Sequence, residues 1–400
     1  MNVLYVQPGP GIGGSKVSLY HMLKCAPPSQ KSYLALSAPA LEEFETMVKD
    51  YVEGIFYLEL PTWQKYKRRN IQEKIREPIG DTIRLINLIP ATKNLVTILR
   101  QNNIDLVHTN NSICAAGAIA AKLTKLPHIW HIRESFGAHR QFKPILGDVI
   151  TYWLIKNLSK VIICNSKYTA EPFSEHRVQP VIIQNGLDVG IYAETKQNDS
   201  VLRTKLNINE NEIVIGMVGN LTTELKRHVD FLQIASAIKD KHQNVRYVVF
   251  GGSNNLDQTV YTQRLAIQAK EMGISDRIIW AEFCNDTTAV MNCLDILVHP
   301  ALTEGSGRVV MEAMAAGKPV VGLRSGGVQE LIQDELTGFL VQPGNIQAMA
   351  ERVDQLVSNP ALRERIGINA RKYAQEHFSD QESMNAIVRI YQKLVAEQGR

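Results

Sequence analysis

Short runs of β-branched and other apolar residues recur along this chain in two successive series, each run separated from the next by a longer helical stretch. The first series is VLYVQ (3–7), YLALSA (33–38), IFYLEL (55–60), IDLVHT (104–109), HIWHI (128–132), VIICN (161–165) and VIIQN (181–185). After the polar stretch ETKQNDS the pattern restarts with IVIGMVG (213–219), VRYVVFGG (245–252), RIIWAEF (277–283), DILVHP (295–300), PVVGL (319–323) and GFLV (338–341). A strand that is apolar throughout is covered on both faces, and strands spaced by helices form parallel sheets. The sequence therefore predicts an α/β protein of two doubly wound, Rossmann-like domains facing across a cleft, with a boundary near residues 186–210. Ligands of such sheets bind at the carboxyl ends of the strands.

The 400 residues suit two cores better than one. Composition is that of a globular enzyme, 44% hydrophobic and 21% charged, without repeats or low-complexity tracts. The start MNVLYVQPGP reads as a strand and a turn, not as a signal peptide. No apolar run has the length of a membrane span. Five scattered cysteines lack metal spacing and suggest buried thiols in a reducing compartment. A cytoplasmic protein is expected. Residues 1–190 hold 22 Lys and Arg against 15 Asp and Glu, so the weak net charge of +4 hides a basic first half. Much of that excess lies in TWQKYKRRNIQEKIRE. This stretch, residues 63–76 above all, is either a solvated charged segment or a contact with an anionic membrane surface. No nucleic-acid partner is expected.

Gly9-Pro10-Gly11-Ile12-Gly13-Gly14 matches the dinucleotide-binding spacing, but Pro10 sits inside the supposed phosphate turn. The second strand also ends in Ser37 and Ala38, where a ribose-binding acid is needed. A nicotinamide site is therefore not expected. Gly13 and Gly14 remain candidates for close backbone approach to phosphate or substrate, or they form a plain tight turn.

EGSGRVVMEAMAAGKP (304–319) holds the strongest local signal. A loop follows the strand DILVHP, and a helix runs from about Gly307 to Ala316, closed by Gly317 and Pro319. Its first N–H groups, with Gly305, Ser306 and Gly307 adding little bulk, make an anion site suited to a diphosphate. Glu304 lies on one side of that helix start. Glu312 lies ~7–8 Å along the axis on the other, in otherwise apolar surroundings. Two carboxylates flanking a diphosphate site fit a nucleotide sugar, whose hydroxyls lie at both ends. Arg308, one turn before Glu312, pairs with it or with phosphate. The bland alternative makes Glu304 a dipole-complementing acid and Glu312 a solvent-facing one.

E-x7-E within EGSGRVVMEAMAAGKPVV, followed by SGGVQELIQDELTGFLVQPGN, closely resembles the family 4 retaining glycosyltransferases of the GT-B fold. The resemblance continues in GNLTTELKRHVDFL (219–232), NSKYTA (165–170) and QNGLD (184–188). It implies transfer of a sugar from a nucleotide-sugar donor, a UDP-sugar before a GDP-sugar, to a glycan, lipid-linked or small-molecule acceptor. Retention at the anomeric carbon is implied, with no metal and no cofactor. It assigns Glu304 to the donor sugar, Glu312 to the ribose, Lys226 to the diphosphate and His131 to the neighbourhood of the anomeric centre. The arginine that the family carries six residues before the lysine is here Asn220, and Arg227 or Arg308 would have to supply that charge, Arg308 being preferred. Asn110, Arg133 and Glu134 are acceptor-side candidates, with a mutual salt bridge the alternative for the last two. Asn111 is expected to cap the helix SICAAGAIAAKL. The implied domains are residues 1–185 on the acceptor side, 186–375 on the donor side, and a final segment, 376–400, returning to the first domain. A nucleotide-sugar epimerase and a non-catalytic nucleotide-sugar-binding scaffold are the competing functions.

Overall fold

The computed structural model describes residues 1–9, 13–38, 42–66, 71–136, 142–193, 201–221, 224–252 and 256–398. Pro10–Ile12 of the glycine motif and residues 67–70 of the basic run lie outside that set. The chain divides into two compact units, residues 1–186 with 380–400, and residues 187–379.

In the first unit the strands are β1 (Asn2–Gln7), β2 (Lys31–Ser37), β3 (Gly54–Leu58), β4 (Gln64–Tyr66), β5 (Leu106–Asn110), β6 (His128–Ile132), β7 (Phe142–Pro144), β8 (Val161–Cys164) and β9 (Val181–Ile182). Seven of them form one parallel sheet in the order β3-β2-β1-β5-β6-β8-β9. Val3, Leu4, Tyr5 and Val6 are all inaccessible to solvent, as strands covered on both faces must be. One face packs Leu4, Val6, Val107 and Trp130 against the helices Ile71–Gln101, Ala116–Thr124 and Asp148–Leu158. The other packs Val3, Tyr5, Leu106 and Ile129 against the helix Gly14–Lys24 and the C-terminal helix Asp380–Gln398. Met384, Ile387, Tyr391 and Leu394, three or four residues apart, form the buried stripe of that last helix.

The second unit holds β10 (Ile213–Val218), β11 (Val245–Gly252), β12 (Ile278–Glu282), β13 (Ile296–His299), β14 (Val320–Leu323) and β15 (Phe339–Val341). They too are all parallel, in the order β12-β11-β10-β13-β14-β15. In each sheet the strand order reverses once, between β1 and β5 and between β10 and β13. A crevice opens at such a switch point because the flanking connections leave toward opposite faces.

The chain returns to the first unit at Asp380, not at residue 376. The helix Pro360–His377 belongs to the second unit, where Ala370, Ala374 and Phe378 are buried. Gly186, the last residue of the first stretch, lies so close to Asp380 that a Cβ would stand 2.2 Å from the Asp380 Cα. The Asn185-Gly186 step is thus a place where only glycine fits, beyond a plain turn.

Two sequence expectations are corrected in the first unit. Asn111 does not cap a helix. The helix begins at Ala116 after Ala115, and Asn111 sits at φ 147° with its Oδ1 accepting from the Ile113 N–H at 3.2 Å. Trp63 does not face outward at the head of the basic run. It is 2% exposed, stacks on Trp130 with ring centroids 5.5 Å apart, and donates Nε1–H to the Ser112 carbonyl. Lys65 beside it pairs with Asp81 at 2.6 Å. Both belong to the small antiparallel β4–β7 ribbon or its approach, too short and too polar to signal itself in sequence.

Candidate active site

Two loops at the switch point of the second sheet carry most of the candidate residues. After β10 the chain passes through Gly219 and Asn220 to the single turn Glu224–Lys226. Gly219 can lie where it does because Gly251, at φ +133°, has no Cβ; one built there would stand 2.1 Å from the Gly219 carbonyl oxygen. The aliphatic stem of Lys226 lies over Gly219, and its ammonium reaches Glu304 Oε2 at 2.5 Å. Asn220 is exposed.

After β13, His299 ends the strand and Glu304 opens the glycine-rich loop. The helix runs from Arg308 to Ala315 with Gly307 before it at φ 68°, a left-handed position suited to glycine. The loop is seated on a second glycine pair. The Gly327 N–H donates to the Glu304 carbonyl at 2.8 Å, and a Cβ on Gly326 would meet that carbonyl oxygen at 2.6 Å. A Cβ on Gly327 would stand 2.4 Å from the Gly305 carbonyl oxygen. Ser325 adds an Oγ–H bond to the Leu302 carbonyl. The SGG step of the second motif is therefore the cradle of the first. Gly327→Ala is expected to push the loop outward, with about 1–3 kcal/mol of overpacking cost. Differential scanning calorimetry and donor titration would show a lowered Tm together with weaker donor binding; no change in either would mean that the loop does not rest on this glycine.

Electrostatics separate the two glutamates. Burial pushes Glu304 up, but Lys226 and His299, whose Nε2 lies 3.7 Å away, outweigh it and hold the carboxyl well below the usual range. It is an anion locked to a cation. Glu312 is 4% exposed; burial raises its pKa, and the facing Arg308 Nε, 3.1 Å from Oε1, offsets that only in part. Arg308 thus takes the carboxylate rather than an open position toward the loop. Arg227 is held by its own helix: Nε and Nη2 both donate to Asp230, one turn on. His299 and Asp230 were not singled out by sequence. The strand-end position of His299 was the available signal.

In the first unit the candidates gather at the ends of β1, β5 and β6. Gly13 and Gly14, at the start of the helix Gly14–Lys24, are exposed, and among the described residues a Cβ on either would meet nothing within 4 Å. Packing among the described residues does not require glycine there. Asn110 is inaccessible: its Oδ1 accepts from Arg133 Nε at 2.7 Å, and its amide N–H groups go to Gln7 and to the Ser15 carbonyl. Arg133 also donates to Asn185 Oδ1, so its guanidinium ties three strand ends together. Glu134 accepts from the Ser112 N–H and hydroxyl, and from the Arg133 N–H. His131 is 2% exposed; burial first, then the Arg133 charge, hold it well below its ordinary value, so the ring is neutral. Among the described residues no helix is long and apolar enough to cross a membrane, and no cluster of three or more metal-ligating side chains occurs.

Two family descriptions match the chain: Glycosyltransferase Family 4 over residues 53–190 and Glycosyl transferases group 1 over residues 198–373. An uncharacterized glycosyltransferase of Methanocaldococcus jannaschii is 30% identical over 227 residues, 55% of each chain. The UDP-Gal:alpha-D-GlcNAc-diphosphoundecaprenol alpha-1,3-galactosyltransferase of Escherichia coli is 24% identical over 292 residues, 70% of this chain and 74% of that protein. The chain spans about half the length of the first curated relatives it matches, 48% and 55%. Among solved structures, Anabaena Alr3699/HepE in complex with UDP superposes with a TM-score of 0.79 at 21% identity, covering 98% of this chain and 100% of that one. That likeness carries the GT-B fold, and the two family matches between them take in most of both units. The chain belongs to the group 1 glycosyltransferases of family 4.

Proposed function

We propose that this protein transfers a sugar from a UDP-sugar to a glycan or lipid-linked acceptor, with retention at the anomeric carbon and without a metal. The observation that carries the reading is the pair Glu304 and Glu312 on either side of the Gly307–Arg308 helix start, with Lys226 against Glu304. Hydroxyls of the donor sugar would bond Glu304, ribose hydroxyls would bond Glu312, and the diphosphate would lie on the helix N-terminus beside Lys226. As the bond between the anomeric carbon and the phosphate oxygen breaks, negative charge grows on the diphosphate, where these fixed positive groups stabilise it. The acceptor oxygen bonds to the anomeric carbon from the same face, and its proton passes to the departing phosphate oxygen. The UDP complexes of the Anabaena structure and the UDP-galactose donor in the name of the E. coli relative support uridine; a GDP-sugar is the alternative.

Asn220 in the arginine position, with Arg227 turned to Asp230, favours one competing reading, a nucleotide-sugar-binding protein without turnover. The deciding experiment incubates the protein with UDP-glucose, UDP-galactose and UDP-N-acetylglucosamine in excess EDTA, with and without lipid-linked acceptors, and follows UDP release and product. UDP release coupled to an α-linked product supports the proposal. Binding without release supports the scaffold, an epimerised sugar still on nucleotide supports an epimerase, and release only with added divalent ion overturns metal independence.

A peripheral site of action at the cytoplasmic face of a membrane belongs to the same proposal. The helix Asp148–Leu158 leaves Val149, Ile150 and Trp153 at 73%, 50% and 61% exposure, an apolar group suited to an interface. Cosedimentation with vesicles of anionic phospholipid is expected for the wild type and reduced for Trp153→Ala. No affinity for such vesicles in the wild type removes the membrane from the account.

A further inference from the structure

A single file of hydrogen bonds crosses the first unit from the C-terminal helix to His131. Tyr391, inaccessible on the helix Asp380–Gln398, places its hydroxyl 2.6 Å from His108 Nδ1. His108, inaccessible on β5, places Nε2 3.2 Å from His131 Nδ1 on β6. Behind Tyr391, the Tyr5 hydroxyl lies 3.3 Å away and receives an N–H bond from Gln30 at 3.0 Å. At the far end, His131 Nε2 is buried and has no hydrogen-bond partner among the described residues.

The guanidinium of Arg133 sets the direction of the bonds from His131 back to Tyr391. Arg133 Nη2 lies 3.4 Å from His131 Nδ1, and a guanidinium can only donate. His131 Nδ1 therefore accepts, and in a neutral ring the proton must sit on Nε2. His108 Nε2, facing that acceptor, carries a proton, so its Nδ1 accepts from the Tyr391 hydroxyl. The one Tyr391 hydroxyl proton is then spent on the 2.6 Å bond to His108 rather than on Tyr5 at 3.3 Å, and Tyr5 accepts from Gln30. Burial holds both imidazoles in their neutral forms. A buried N–H without an acceptor is costly, and a donor left aimed in this way asks for an oxygen from outside the chain.

We infer that Tyr391 and His108 are positioning residues that hold His131 as its Nε2–H tautomer, so that it donates to an oxygen of the sugar undergoing transfer. The tautomer assignment stands on these contacts alone; its role in transfer rests on the function proposed above. The C-terminal helix thereby sets the chemistry of a strand-end histidine more than 250 residues earlier in the chain.

Long-range ¹H–¹⁵N correlation spectra of histidine-labelled full-length protein test it, with His131 and His108 assigned by substitution. The wild type is expected to show His131 as Nε2–H only. Tyr391→Phe is expected to let His131 populate both tautomers and to lower turnover about tenfold with donor KM changed by less than about twofold, the pattern of a lost transition-state interaction. If Tyr391→Phe fails to fold, His108→Gln and His108→Leu replace it. The glutamine amide can still donate to Nδ1, so His108→Gln should keep the wild-type tautomer and most of the rate, while His108→Leu should lose both. His131 protonated at Nδ1 in the wild type, or a tautomer and rate indifferent to these substitutions, overturns the inference. The expected tautomers with no turnover on any nucleotide sugar would leave the relay standing and sink the function on which its role rests.

Discussion

Replacing Lys226 by methionine is expected to lower sugar transfer by about 10²–10³ in kcat, the cost typical of removing one preorganised donor from a developing anion. The family pattern places two cations on the loop after the first strand of this unit, and here one of them is Asn220. Arg227 cannot stand in while Asp230 holds its guanidinium from two nitrogens. Arg308 spends its Nε on Glu312. Lys226, paired with the Glu304 that opens the Gly307 loop, is thus the cation assigned to the diphosphate, and methionine keeps its stem over Gly219 while removing the charge. Because charge grows on the diphosphate only as the bond breaks, kcat should fall more than donor affinity. Steady-state kinetics with separately determined donor Kd would show this split. A loss below about tenfold, with kcat and affinity falling together, would mean that Lys226 serves mainly to hold Glu304.

The buried Arg308–Glu312 pair should respond very differently to loss of its two members. Glu312→Ala leaves the permanently charged Arg308 guanidinium in a poorly solvated place without its partner. Removing one partner of such a pair costs about 3–5 kcal/mol. Arg308→Ala leaves a carboxyl that can take up a proton and become neutral. Burial already raises the Glu312 pKa, so the folded protein holds this proton more tightly than the unfolded chain does. Stability from this group is therefore fully present below the unfolded carboxyl value and is lost as the pH rises from there through the raised folded value. Without Arg308 the upward shift grows, so Arg308→Ala should regain stability relative to wild type as the pH falls from the alkaline side toward the usual carboxylate range, while Glu312→Ala should not. Urea unfolding across that range would check it. Equal pH slopes for the two variants would mean that Glu312 is not held by burial against its neighbour. Glu312→Ala should also weaken UDP binding several-fold at full fold integrity, whereas Glu312→Gln, which keeps a hydroxyl acceptor, should weaken it less.

Much of the frame was legible because parallel strands buried on both faces are apolar without interruption. Val3 to Val6 and Ile213 to Val218 announce themselves. The helix start at Gly307 was legible from the glycines around it. Contacts between distant loops were not. Nothing in GNLTTELK says that Lys226 meets Glu304, 78 residues on, because that distance is set by the order β10-β13 in the sheet. The SGG step could be quoted as a motif, but its reason, two backbones too close for a Cβ, exists only in three dimensions. Trp63 misled because an aromatic before a basic run resembles an interfacial anchor, yet its partner Trp130 lies on a strand 67 residues away. Tyr391 was hidden for the opposite reason. On a stripe with Met384, Ile387 and Leu394 it reads as one more core residue, and only the placement of its hydroxyl against His108 separates it from them.

Isothermal titration of the intact protein with UDP and with uridine, in buffer containing EDTA, decides whether the Gly307 helix start holds a diphosphate. UDP is expected to bind at one site per chain and uridine at least about tenfold more weakly, since the diphosphate meets the helix start and Lys226. UDP binding no tighter than uridine, or binding that appears only when a divalent ion is restored, would contradict it.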